Sequence, residues 1–150
     1  MSTPNYDPSK FASIKTYIMI AFIFNIIALV GFVLGALSEI WAYATWSSYD
    51  VYGILVSTGY STGFLITGIV LLVFAVFSVI VFMRVRRMYN AVNSGDINTL
   101  KQYNNMTWAI LALIFAGVIP GIMLFISFGP INELGQAPAR AAYPPPPPPS

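Results

Sequence analysis

The chain contains no cysteine and no histidine. Disulfides, thiolate catalysis, haem on an axial histidine, and zinc, copper or iron–sulfur sites built on those residues are thereby excluded within it. Anchoring by S-palmitoylation is excluded too. Charge is the second scarcity. Asp, Glu, Lys and Arg make up 8% of the 150 residues, against about 25% in soluble domains. Segments 16–38, 51–83 and 102–132 carry no charge at all. With 57% hydrophobic residues and a mean hydropathy of +0.75, a water-soluble globule is not the expected outcome.

What fills those uncharged segments is apolar sequence of membrane-spanning length, at 16–37, 62–83 and 108–128. About 20 apolar residues rising 1.5 Å each cross a hydrocarbon core of roughly 30 Å. The first block is longer than the 7–15 apolar residues typical of a signal peptide, so it reads as an uncleaved span. The expected fold class is all-α: an integral membrane protein, a three-helix transmembrane bundle with a disordered proline-rich tail. Its organisation is a polar segment 1–15, a membrane domain 16–132 and a tail 133–150.

The punctuation between the blocks supports helices. Pro4 and Pro8 fray the N-terminus until a helix begins near Ser9 or Ser13. Linker 38–61 carries Trp41, Tyr43, Trp46, Tyr49, Tyr52 and Tyr60, side chains that settle at headgroup level. The alternative for this linker is an aromatic ligand-binding surface. The second block runs on through Arg84, Arg86 and Arg87 toward a Gly95 C-cap. Asp96 then caps a short helix over 97–103, which Asn104 and Asn105 end. Pro120-Gly121 interrupts the third block, and Gly129-Pro130 ends it. The preferred reading of Pro120 is a kink in a continuous span. The alternative is a re-entrant hairpin that returns the tail to the side it came from.

Orientation follows from the basic residues beside the blocks. Lys10 and Lys15 precede the first, and Arg84, Arg86, Arg87 and Lys101 lie between the second and third. Placing both regions in the cytoplasm satisfies the positive-inside rule, and three spans then put the tail outside. The same four connection residues are candidate ligands for acidic lipid headgroups. They are too few and too near lipid for a nucleic-acid surface. The tail ends in Tyr143 and six prolines, a polyproline II rod of about 19 Å suited to a polyproline-binding partner.

Few residues in the blocks suggest chemistry. Asn25 lies near the middle of the first, on a seam with Ala21, Ala28 and Gly35. A lone intramembrane amide reads as interhelical glue before it reads as a transport site. Gly31 and Gly35, Gly59 and Gly63 with Thr67, and Gly117 and Gly121 each place small residues four apart, the pattern of close helix packing. Ala109, Ala112 and Ala116 extend it. No acid lies inside a block, which argues against a proton-coupled pump. Glu39, Asp50, Asp96 and Glu133 are isolated, unlike a carboxylate pair or a metal set. Asn105-Met106-Thr107 matches a glycosylation sequon but abuts the membrane on the cytoplasmic side.

Residues 82–110 carry a resemblance. A span with a basic exit, Gly95-Asp96 in a short connection, and Trp108-Ala109-Ile110 opening the next span resemble the two-segment unit of dispanin-like (interferon-induced transmembrane) proteins. The likeness extends over 62–128 at most and resembles small prokaryotic multi-span proteins as well. It implies a membrane location and does not point to a particular activity. The extra N-terminal span, the C-terminal position of the proline-rich segment and the missing juxtamembrane cysteine depart from the pattern. The expected role is a scaffold or accessory subunit that associates with itself or with a larger membrane complex, without enzymatic activity or cofactor. The rival is an oligomeric channel or transporter component lined by Asn25, Thr67, Ser78 and Thr107.

Overall fold

A computed structural model of the chain describes residues 7–47 and 58–134. Among them all regular structure is helical: α1 Pro8–Ser47, α2 Thr58–Ser94, α3 Ile97–Tyr103, α4 Met106–Phe115 and α5 Val118–Glu133. Helices α1 and α2 are both long and apolar enough to cross a membrane. Tyr49, Tyr52, Asp50 and the proline tail lie outside the described residues.

Local chemistry sets most of the helix ends. The Asp7 carboxylate accepts from the Ser9 amide at 2.9 Å, and Pro8 occupies a first-turn position where its missing N–H costs nothing. At the end of α2, Gly95 adopts φ +72° while its amide and that of Asp96 donate back to Val92 and Ala91. This pair of bonds is a Schellman closure, which needs the left-handed conformation that glycine takes freely. Asp96 then caps α3 through the Thr99 amide at 3.0 Å. Asn105 of the sequon caps α4 through the Thr107 amide at 2.9 Å.

The two long helices run antiparallel. Phe22 stacks on Phe82 at 5.5 Å and on Tyr89 at 4.8 Å, while Phe32 meets Phe74 at 5.7 Å. Small residues allow the approach: a Cβ on Gly68 would meet Ile40 at 3.1 Å, and one on Gly35 would meet Leu71 at 3.2 Å. Linker 38–61 is shorter than expected from sequence, because α1 continues to Ser47 and carries Trp41 and Tyr43 on its last turns.

The third apolar block does not form one span. It is broken at Ala116–Gly117, and α5 folds back along α4. Gly117 has φ +103° and ψ 166°, a region that L side chains rarely enter. Pro120, expected to kink a continuous helix, instead sits buried in the first turn of α5, where no intrahelical acceptor awaits its missing N–H. Pro130 does not end the block either; α5 runs through it to Glu133. The two arms touch closely enough that a Cβ on Gly121 would lie 2.5 Å from Leu113 Cα and 2.6 Å from its backbone nitrogen.

Both feet of this hairpin stand together. Asn104 Nδ2 donates to Phe128 O and to Asn132 Oδ1, each at 2.9 Å, tying the start of α4 to the last turns of α5. Glu133 in turn pairs with Lys10 on α1 at 2.9 Å. This carboxylate holds the Lys10 ammonium above its ordinary pKa. The chain thus returns to the end where α1 begins, and not to the opposite end as three spans require.

Candidate functional site at the foot of the hairpin

The densest polar chemistry in the described residues gathers where α2, α3 and α4 meet. Arg84 lies between two rings, its guanidinium carbon 4.6 Å from the Trp108 centroid and 5.1 Å from that of Tyr103. Its Nη2 and Nε donate to the Tyr103 carbonyl at 3.0 and 3.3 Å. That carbonyl lies in the last turn of α3, so it has no helical donor of its own. Arg87, one turn on, donates from Nη1 to Tyr103 Oη at 2.5 Å and lies 5.5 Å from the same ring. A cation held over an aromatic face gains about 0.5–2 kcal/mol, more as water is removed. The cluster locks the foot of the hairpin onto the basic end of α2.

This arrangement divides the four basic residues expected to contact lipid headgroups. Arg84 has its donors directed inward and is half-buried. Arg86 is exposed, and Lys101 is half-buried on α3. Arg87 keeps an open side, next to an open pocket of about 280 Å³ lined by Asn90, Ser94, Asp96, Thr99 and Tyr103 among others. Hydrogen bonds from Thr99 hold the Asp96 carboxyl below its ordinary pKa, so this pocket carries both signs of charge. Cation–aromatic pairs at Arg84–Trp108 were invisible in sequence, since the partners are 24 residues apart and only the hairpin joins them.

The small residues expected to mediate packing fall into two groups. Gly35, half-buried, and Gly121, buried, are used within the chain, as are the buried Ala109, Ala112 and Ala116. Gly117 makes the break between α4 and α5. Gly31 and Gly63 face open space. Gly59 lies in α2, and Thr67 is exposed on it. Asn25 is fully buried inside the chain, and neither side-chain atom has a hydrogen-bond partner; Ser78 Oγ is buried and unpartnered likewise. The four candidate channel-lining residues do not gather, because Asn25 and Ser78 are buried while Thr67 and Thr107 are exposed on different helices. Among the described residues no cluster of three metal-ligating side chains occurs.

Sequence reasoning missed the ring cluster at the hairpin's tip. Phe115 lies 4.5 Å from Phe77 and 5.3 Å from Phe74, which in turn meets Phe32. Phenylalanines are so common in these apolar blocks that no local signal marks those four.

No family model, curated protein or solved structure matches the chain.

Proposed function

We propose that the chain is an integral membrane protein that crosses the bilayer twice, through α1 and α2, with α4 and α5 as a hairpin entering from one side. Its role is that of a small scaffold or accessory subunit acting through helix–helix association. The observation that carries the membrane reading is how little of the apolar surface is covered. Only 17% and 22% of the most apolar windows of α1 and α2 are buried. The core helix of a soluble protein buries most of such a stretch. Ile27, Leu34, Ile66 and Val76 are each more than half exposed.

All six basic residues of the described chain belong to one end: Lys10, Lys15, Arg84, Arg86, Arg87 and Lys101. The positive-inside rule then puts that end, both feet of the hairpin and the start of the tail in the cytoplasm. This reading reverses the side expected for the tail from three spans. A partner finds open small residues at Gly31 and Gly63, toward the other end.

Single cysteines in this cysteine-free chain test the topology. Ser94→Cys and Glu133→Cys share one side in the proposal, and Thr45→Cys lies on the other. In sealed cells an impermeant maleimide should label Thr45→Cys and leave the other two unlabelled. Labelling of Glu133→Cys together with Thr45→Cys would restore the three-span arrangement. Mass measurement in mild detergent tests association: a strict monomer with no co-purifying protein would remove the scaffold reading.

A further inference from the structure

The hairpin stops about half-way along the helix pair. Its foot is fixed at Arg84 through Tyr103 and Trp108, and its tip at Phe74 and Phe77 through Phe115. Ten residues of α2 separate Arg84 from Phe74, a rise of about 15 Å. That is half of a hydrocarbon core of roughly 30 Å. From Phe74 toward Thr62, α2 continues for a further rise of about 18 Å, with no α4 or α5 beside it.

Burial changes at the same level. Toward the foot, Ile14, Ile18, Ala21 and Asn25 on α1 and Ala75, Ser78, Val81, Val85 and Met88 on α2 are all buried. Beyond the tip, among residues whose exposure is described, only Ala36 and Gly68 are. Of the described helices, one half-thickness therefore holds four and the other holds two. The outer face of the hairpin suits hydrocarbon: Ile110, Ile114 and Phe125 are at least half exposed, and a wholly apolar groove of about 170 Å³ runs between the arms near Gly121.

Resting on the two-crossing reading above, we infer that this chain is a wedge for bilayer curvature, favouring membranes convex on the hairpin side. The physical cause is area. Each helix with its side chains has a cross-section of about 80 Å² for a diameter near 10 Å, so the hairpin adds roughly 160 Å² to one leaflet only. A planar bilayer accommodates unequal leaflet areas by straining lipid around the protein, and a convex leaflet relieves that strain. By the orientation argued above, the favoured curvature in the cell bulges toward the cytoplasm.

The test uses the full chain, fluorescently labelled and reconstituted into phosphatidylcholine–phosphatidylglycerol vesicles of about 50 to 400 nm diameter. Reconstitution gives both orientations, and quenching of a dye on Ser94→Cys by an impermeant quencher sorts single vesicles by hairpin side. Protein with the hairpin in the outer leaflet should rise in surface density by about threefold or more from the largest to the smallest vesicles. Protein with the hairpin in the inner leaflet should be depleted from the smallest. The opposite responses of one folded protein need no variant that might misfold. Equal densities at all diameters in both orientations would overturn the wedge while leaving the topology intact. Failure to float with vesicles, or labels on Ser94→Cys and Glu133→Cys from opposite sides, would instead overturn the two-crossing reading.

Discussion

The two halves of the α1–α2 pair carry apolar residues of the same kinds in quite different surroundings. Near the basic end, Ile14, Ile18, Val81, Val85 and Met88 pack beneath the hairpin and are buried. Toward the other end, Leu34, Leu37, Ile66 and Ile69 are as apolar and more than half exposed. Hydrophobicity does not separate the two sets; the presence of a third layer does. Residue type thus fixes that a segment avoids water, while coverage decides whether it touches protein.

The largest effect is expected where the hairpin closes on itself. Gly121→Val places a side chain on top of the Leu113 backbone, which cannot give as a flexible side-chain end can. Overpacking of this kind costs roughly 3 kcal/mol or more here, and α4 and α5 must separate. Thermal unfolding in detergent and labelling at Glu133→Cys should both change. A variant with wild-type stability and labelling would mean the arms are not in contact.

The comparison between halves is tested directly by paired truncations. Ile18→Ala, at a fully buried site, should cost about 2–3 kcal/mol, and Leu34→Ala, at a site 61% exposed, less than about 0.5 kcal/mol. Equal losses would show that the far half is covered by something, a second copy included. Gly117→Ala comes next, at about 1–2 kcal/mol, because φ +103° with ψ 166° strains any side chain. The loss should appear whether or not the bundle is associated, which separates it from a packing effect.

Asn25→Leu probes the buried half from another side. Its amide has no partner, so an apolar replacement of similar size removes a desolvation penalty without breaking a bond. Stability should hold or rise by up to about 1 kcal/mol; a clear loss would reveal a hydrogen bond to the amide. The smallest effect is a pH dependence at the exposed cap of α3. The Asp96 carboxyl is held below its ordinary value by Thr99. Its contribution is therefore complete above the unfolded value of 3.8 and is lost as pH falls through the depressed folded value. Following the Thr99 amide by NMR between pH 6 and 2 should show its bond lost only at the acid end. Asp96→Asn should keep the cap and abolish that titration.

Much of the fold was readable from local chemistry. The apolar length of α1 and α2, the glycine closure at Gly95, the Asp96 cap and the end of α3 at Asn104 each depend on a few adjacent residues. The start of α1 was readable to within a residue at Ser9, but the Asp7 cap with Pro8 in the first turn was not, because Pro8 reads equally as a source of fraying. The third block was legible only as two alternatives. Pro120 is the stronger helix breaker in isolation, yet Gly117 three residues earlier supplies a conformation no other residue takes easily, and Pro120 then fits the new helix's first turn. At the candidate site the basic residues were evident, but not which of them would face inward. Arg84 and Arg87 share the Tyr103 ring, and only Arg84 also reaches Trp108, 24 residues along the chain.

By itself the sequence determined which segments are apolar, where α2 ends and α3 starts and stops, and which connection carries most of the positive charge. Those properties follow from side-chain hydration, backbone conformational limits and local hydrogen bonds, all set within a few residues. The tertiary structure alone decided that the third apolar block turns back on itself and that Glu133 returns to Lys10. It also decided which half of the long helices is covered. The physical reason is that a kink and a hairpin satisfy nearly the same local backbone bonds. What separates them is contact between distant residues: Leu113 with Gly121, Phe115 with Phe74 and Phe77, and Asn104 with Phe128.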